Sequence, residues 1–475
     1  MIVTKPLNTN FDIHQLFAQY RGENNALYAH NVNPKLARVL KIIGFDKNYT
    51  KGSGAYLWDE DGNRYLDMLS GYGVFNLGRN HPVVRQALID FMQADYSSLV
   101  QMETPLLCGL LAGKLKTRIG YDLDYVYFCS TGAEANEAAI KFARRATGKN
   151  TVLYAQSAFH GLTTGVLSIN GSRIFKEGFG ELINSRSVRF GDLDQLEEEL
   201  AKDDCAAFFI EPIQGKGVNI PPRGYLAEAS MLCRKHGVLF VADEIQCGLG
   251  RTGKFLALHH EENVAPDLVT VSKSLSGGYV PIAAVAMRKA VFDQTFSSLD
   301  RAVVHSSTFG KSNFAMTAGL ATLHVLDQSD LLANAEQMGN LLGNRLLEIK
   351  DKYELIHAVR WRGLMLAIEF GRPASLGLRA AWKAVNAMNE DLFCQAITIP
   401  LLQDHNILTQ VAGNHMTTIK LLPPLVINKD DVDWFIHSLD KVMADLHRFP
   451  GPAWESLSRI AKNAFTPSGM SFVAR

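Results

Sequence analysis

VLFVADEIQCGLGRTGKFLALHHEENVAPDLVTVSKSLSGGYVP, residues Val238 to Pro281, decides the reading of this chain. Two short apolar runs lie in it, Val238–Ala242 and Leu268–Val271, each of strand length and each followed by a charged residue, Asp243 and then, past Ser272, Lys273. Such runs between helical patterns read as buried strands of a parallel sheet, and open α/β sheets bind ligands beyond the carboxyl ends of their strands. Asp243 and Lys273 are therefore expected to face one crevice.

A carboxylate and an amine held in that way suit pyridoxal phosphate, whose aldehyde forms a Schiff base with a lysine and whose ring nitrogen needs an anionic partner to stay protonated. Taken alone the pair reads better as an ordinary surface Asp and Lys, so the rest of the chain has to decide.

Working outward, the apolar run Tyr125–Cys129 leads into STGAEANEAAIKFARR, in which Thr131 and Glu134 form a capping box at a helix start. A strand, a glycine turn and a helix N-terminus suit a phosphate, because free backbone N–H groups and the positive end of the helix dipole converge there, although by themselves these residues read equally as a plain capped helix. The strand-like Thr151–Ala155 is followed by Phe159, His160 and Gly161, and the strand Ala206–Ile210 ends at Glu211 in EPIQG. Gly54–Gly73 alternates like paired strands around an Asp61-Gly62 hairpin turn.

FVADEIQCGLGRTG followed by DLVTVSKSLSGGYVPIAAV resembles the signature of the class III, or ω-, aminotransferases of the fold-type I pyridoxal phosphate enzymes, and the likeness runs from about Gly54 to about Ile427. The resemblance implies a large domain with a mostly parallel sheet and a smaller α+β domain built from both chain ends. It divides the chain into an extension (1–50), the first part of the small domain (51–75), the large cofactor-binding domain (76–326), the rest of the small domain (327–447) and a tail (448–475). By the same resemblance Lys273 is catalytic, Asp243 meets the ring nitrogen, and Thr131, Gly132 and Ala133 hold the phosphate. Phe159 and Ile245 sandwich the ring, with His160 beside it and Gln246 near its phenolic oxygen. Thr308, in HSSTFGKSN, reaches the partner subunit's cofactor, so the resemblance implies a homodimer with shared active sites. Tyr72, Glu211 and Lys420 fall at substrate-side positions, Glu211 and Gln214 as supports of active-site loops.

The chain departs from its relatives on the substrate side. Leu162 and Lys420 stand where many amino-acid-specific members carry arginines, and Lys216 where many carry a glutamate. A lysine binds a carboxylate as a point charge and not as a bidentate clamp. The expected reaction is a ping-pong amino transfer between an amine donor and an aldehyde or keto acid, with at least one substrate lacking an arginine-clamped α-carboxylate. An aminomutase or lyase of the same fold is the alternative. The loop Gly248–Lys254 also satisfies G-x-G-x-x-G, which raises a nucleotide-binding protein as a distant one. Phe255 there replaces the hydroxyl that would ligate magnesium, and no amphipathic helix start follows.

Composition excludes other classes. The 475 residues carry 48 Lys plus Arg and 48 Asp plus Glu, so no basic excess points to nucleic acid and no strong field to a membrane surface. The six cysteines are scattered without CxxC or zinc spacing, so no metal site is expected. With no signal-peptide layout at the start and no bilayer-length apolar run, a cytoplasmic setting is expected. Within the extension, NPKLARVLKIIG reads as a short helix capped by Asn33 and stopped at Gly44, with Leu36, Val39, Leu40 and Ile43 as its apolar face. The tail, rich in Pro, Gly and Ser, reads as having little intrinsic order.

Overall fold

The computed structural model describes residues 11–388, 392–413, 417–448, 450–451 and 454. Its strands, in chain order, are β1 (Tyr49–Ser53), β2 (Tyr56–Asp59), β3 (Arg64–Asp67), β4 (Tyr125–Cys129), β5 (Thr151–Ala155), β6 (Ser185–Val188), β7 (Cys205–Ile210), β8 (Leu239–Asp243), β9 (Leu268–Val271), β10 (Ala283–Met287), β11 (Ile356–Arg362), β12 (Met365–Phe370), β13 (Ile407–Leu408), β14 (Gln410–Val411) and β15 (Thr418–Leu421). Seven of them form the central sheet in the order β4-β10-β9-β8-β7-β5-β6. Strand β10 is antiparallel to both its neighbours and the other pairings are parallel, so β4, β5, β7, β8 and β9 all end on one edge.

Both faces of this sheet are buried, which is why its strands read as continuous apolar runs. Alternate side chains divide between two cores: Phe208, Phe240, Val269 and Val271 point to one, Phe209, Val241, Leu268 and Val285 to the other. The helix Gly132–Thr147 covers the second face through Ala135, Ala138, Ala139 and Phe142. Helices Leu106–Ile119, Tyr225–Lys235 and Asn313–Gln328 cover the first.

A third large core joins the two ends of the chain. Leu66 and Met68 pack there with residues of the helices Leu331–Lys352 and Lys429–Leu446 and of the sheet β11-β12-β15-β14. The sheet β1-β2-β3-β13 makes the same junction, since β13 pairs in parallel with β3. The Asp61-Gly62 turn joins the antiparallel β2 and β3, with Gly62 at φ +84°.

One expectation needs correction. The helix Pro34–Ile42 forms with Asn33 as its cap, but it buries Ala37, while Leu36 of the expected apolar face is 39 % exposed. It packs on the neighbouring helix Asn24–Asn31, whose Asn25 donates to the Ala37 carbonyl, and that contact selects the small residue. Most of the tail lies outside the described residues, yet Trp454 is buried and its indole N–H donates to the Leu446 carbonyl at 2.9 Å. Among the described residues no helix is long and apolar enough to cross a membrane, and no cluster of side chains could hold a metal ion. All six cysteines are free, five of them buried.

Candidate active site

The carboxyl ends of the parallel strands bring the predicted residues to one region. Asp243 closes β8 and is registered against Thr270 of β9, and Lys273 follows two residues after β9 ends. Lys273 adopts φ +44°, the left-handed region that a side chain other than glycine enters at a cost of order 1 kcal/mol. Such strain gathers at functional sites because surrounding structure must enforce it. Burial pulls the Lys273 amine below its usual range, with Asp243 and Glu211 opposing. A lysine so depressed is a better nucleophile and proton carrier at neutral pH.

Asp243 is 3 % exposed and held by three donors. Asn136 Nδ2 and His160 Nδ1 each donate to its Oδ2 at 2.8 Å, and the Ile245 amide donates to Oδ1 at 3.0 Å. Asn136 is itself fixed, donating to the His160 carbonyl and accepting from Thr270 Oγ1 at 3.0 Å. Burial lowers the His160 pKa, but the hydrogen bond and charge of Asp243, together with Glu211, carry it above the ordinary value. His160 Nε2 is buried with no partner among the described residues. The result is a carboxylate locked in one orientation, as a partner for a protonated ring nitrogen has to be.

The capping box forms as expected. Thr131 Oγ1 accepts from the Glu134 amide at 3.2 Å, and Glu134 Oε2 accepts from the Ser130 and Thr131 amides. The Gly132 and Ala133 amides stay in the first turn, where the helix has no acceptor for them. At Gly132 an added Cβ would stand 2.8 Å from Ile245 Cδ1, so a larger residue here would oblige the Ile245 side chain to shift. Phe159 lies on the loop after β5, and its amide donates to Glu211 Oε2 at 3.1 Å. Glu211 Oε1 accepts from the Gly215 amide, so both oxygens of this buried carboxylate tie loops together. Gln214 Nε2 binds the Gln156 carbonyl at 2.6 Å, in the same manner.

On the other wall, Gln246 Nε2 donates to the Tyr72 carbonyl at 3.0 Å and its Oε1 accepts from Lys420 Nζ at 3.3 Å. Tyr72 lies in a turn, Ser70–Gly73, in which all four residues have positive φ, and its ring lies 5.7 Å from Lys420 Nζ. Lys216 Nζ sits over the rings of Phe175 and Phe159, at 4.4 and 5.2 Å. Thr308 lines a cavity of about 400 Å³ with Cys129, Ser130, Glu134, Glu137 and His305 of the same chain, so it shares that cavity with Ser130 and Glu134 of the capping box.

Two residues that composition and motif reading passed over shape this site. Asn136 is a polar residue on the packed alanine side of its helix, and that misplacement in the pattern was its signal. Arg251, in the GLGRTG loop, is fully buried. Its guanidinium donates to the carbonyls of Leu364 (2.9 Å) and Pro423 and to Asn76 Oδ1 (2.5 Å), tying the segments that carry Tyr72 and Lys420 to the central sheet. The loop that resembled a nucleotide site is thus occupied by a structural clamp, and a single 3₁₀ turn, Ala257–His260, follows it in place of a phosphate-binding helix.

The donor set fits pyridoxal phosphate: a depressed lysine, a locked carboxylate and a capped helix start with first-turn amides at Gly132 and Ala133. Comparisons with known proteins agree. The class-III aminotransferase family model matches residues 44–443. The chain is 34 % identical over 472 residues to the aminotransferase PigE of a Serratia species, covering 92 % of this chain and 55 % of that protein, so it spans about half of that relative. It is 35 % identical over 426 residues to an ornithine aminotransferase of an Exiguobacterium species, covering 88 % of this chain and 95 % of the other. The solved ornithine aminotransferase of Toxoplasma gondii, described with pyridoxal phosphate at partial occupancy, superposes with a TM-score of 0.75 at 31 % identity, over 84 % of this chain and 91 % of that one. The depressed lysine, the locked aspartate and the phosphate-ready helix start therefore belong to a fold-type I enzyme, and this chain is a member of the class III pyridoxal phosphate-dependent aminotransferases.

Proposed function

We propose that this aminotransferase exchanges an amino group between an amine donor and a carbonyl acceptor of which at least one carries its reacting group far from any α-carboxylate: a diamine, a terminal aldehyde or a related compound. The observation that supports this reading is the substrate wall. Where a carboxylate fork would need an arginine, Lys420 offers a single amine already bonded to the Gly215 carbonyl at 2.6 Å. Pyridoxal phosphate, when bound, supplies the aldehyde that takes the amino group and the ring that accepts electron density. Lys273 is assigned the proton transfers at the substrate carbon, and its lowered pKa suits that work near neutral pH. Asp243, held by Asn136 and His160, is assigned to keep the ring nitrogen protonated, and Thr131, Gly132 and Ala133 to take the phosphate.

Phe159 and Ile245 are assigned to the two ring faces, with His160 and Gln246 at its edge, while Tyr72, Glu211 and Lys420 shape the substrate side. We further infer a homodimer in which Thr308 completes the partner's site, a cytoplasmic setting, and a small domain drawn from residues 51–75 and 327–447. Exposed Met102, Leu106 and Phe309 near the Thr308 loop support the dimer, since large apolar side chains there need a cover. A substrate panel tests the reading: a terminal aldehyde or diamine should outrun ornithine and acetylornithine, and a strong preference for either of those two would overturn it. Turnover that needs no second carbonyl compound would favour the aminomutase or lyase instead.

A further inference from the structure

Lys420 is an amine in an unusual position. It is 4 % exposed on β15, between Gln410 of β14 and Ala367 of β12, both uncharged. Nζ donates to the Gly215 carbonyl at 2.6 Å and to Gln246 Oε1 at 3.3 Å, and the face of Tyr72 lies 5.7 Å away. Both acceptors are neutral, and among the described residues no carboxylate forms an ion pair with it. The titratable groups facing it are Lys273 from the end of β9, Lys216 and Glu211 from the turn after β7, and the neutral Tyr72 phenol from the Ser70–Gly73 turn. Glu211 already spends both oxygens on backbone amides. Beyond β12's outer edge, Arg360 pairs with Glu369 and donates to the Gly217 carbonyl, so that pair is self-contained.

Two protonation states fit this surrounding differently. A neutral amine has two N–H groups, which satisfy Gly215 and Gln246 with no counter-ion. An ammonium has a third N–H and a charge beside two other lysines, and it becomes comfortable only when an anion enters the cleft. In a ping-pong exchange the same cleft receives two different compounds in turn, and a permanently charged arginine would favour a carboxylate in both halves.

We propose that Lys420 is a protonation switch for dual specificity: it takes up a proton from solvent when a carboxylate-bearing partner binds, and stands neutral when the partner's corresponding end is uncharged. Burial first, then Lys273 and Lys216, bring its amine down to about 7, with Glu211 opposing, so the two states are close in energy near neutral pH. The inference rests on reading the cleft around Lys273 as the amine site.

The test is proton uptake by the holoenzyme in weak buffer with an indicator dye, on adding glutarate, a dicarboxylate with no amine or carbonyl to react. Proton uptake by the wild type should be larger at about pH 8 than at about pH 6, where more of Lys420 already carries its proton. Lys420→Arg should take up none at either pH. In Lys420→Met the ratio of kcat/KM for glutamate to that for a simple aliphatic monoamine should fall roughly 10- to 100-fold, the loss of one hydrogen bond to a charged group. Uptake that persists in Lys420→Arg, or an unchanged ratio in Lys420→Met, would overturn the switch. Bleaching of the visible absorbance by amines without Lys420-dependent uptake sinks this inference alone. If no amine bleaches the holoenzyme, the reading of the cleft falls with it.

Discussion

Asn136→Leu is the perturbation that most sharply tests how Asp243 is held. Leucine keeps the branched shape, is somewhat larger and is the better helix former, but it removes three hydrogen bonds: one donated to Asp243 Oδ2, one donated to the His160 carbonyl and one accepted from Thr270 Oγ1. Two of these join neutral groups, worth about 1 kcal/mol each, and one reaches a carboxylate, worth about 1.5–3 kcal/mol. The sum is on the order of 4 kcal/mol, because every partner is buried and water cannot replace the lost contacts. In a chain of this size that lowers the thermal midpoint by roughly 4–8 °C. Asp243 keeps His160 and the Ile245 amide, so the fold survives, but its orientation toward the ring nitrogen loosens. Affinity for pyridoxal phosphate should weaken at least about tenfold, the equivalent of about 1.4 kcal/mol. Thermal denaturation of apo and holo protein and a spectral titration with the cofactor read both effects. An Asn136→Leu protein that melts with the wild type and binds the cofactor equally well would refute the clamp.

Two further predictions concern the surroundings. Arg251→Met strips the Leu364 and Pro423 carbonyls and Asn76 Oδ1 of their charged donor, about 1.5 kcal/mol or more each and on the order of 5 kcal/mol together; chemical denaturation should show that loss, with a raised KM for the amine because Tyr72 and Lys420 sit on the segments released. Glu244 is pushed by burial from 4.5 up to about 7, against the amides of Leu258 and Ala257 that favour its charged form. The folded state therefore holds a proton that the unfolded chain gives up, and stability present below about pH 4.5 is lost as pH rises to about 7, on the order of 3 kcal/mol. Glu244→Gln should flatten denaturation midpoints across that window, and an unchanged slope would contradict the assignment.

The central sheet was legible because strands buried on both faces write themselves as uninterrupted apolar runs, and because three of those runs stop at or just before a polar residue of the candidate site: Asp243, Glu211, and Lys273 just beyond β9. The capping box at Thr131 was legible for a local reason, since its two hydrogen bonds span three residues. What escaped depends on contacts distant in sequence. Asn136 meets Asp243 across 107 residues, and Arg251 meets Asn76 across 175, so no window of sequence contains both partners. Arg251 also carries a charge, and a charged residue in a glycine-rich loop reads as exposed until four neutral acceptors are seen to close around it. Leu36 was misassigned because a short helix offers two plausible apolar sides, and the neighbouring helix chooses between them.

The claim on which all else depends is that Lys273, among three lysines lining one cleft, is the residue that carries the cofactor. Borohydride fixation of pyridoxal phosphate to the holoenzyme, followed by peptide mapping, tests it directly. The label is expected on the peptide containing Lys273, with no fixed label and no turnover in Lys273→Ala. A label on Lys216 or Lys420, or a Lys273→Ala protein that still turns over normally, would contradict it.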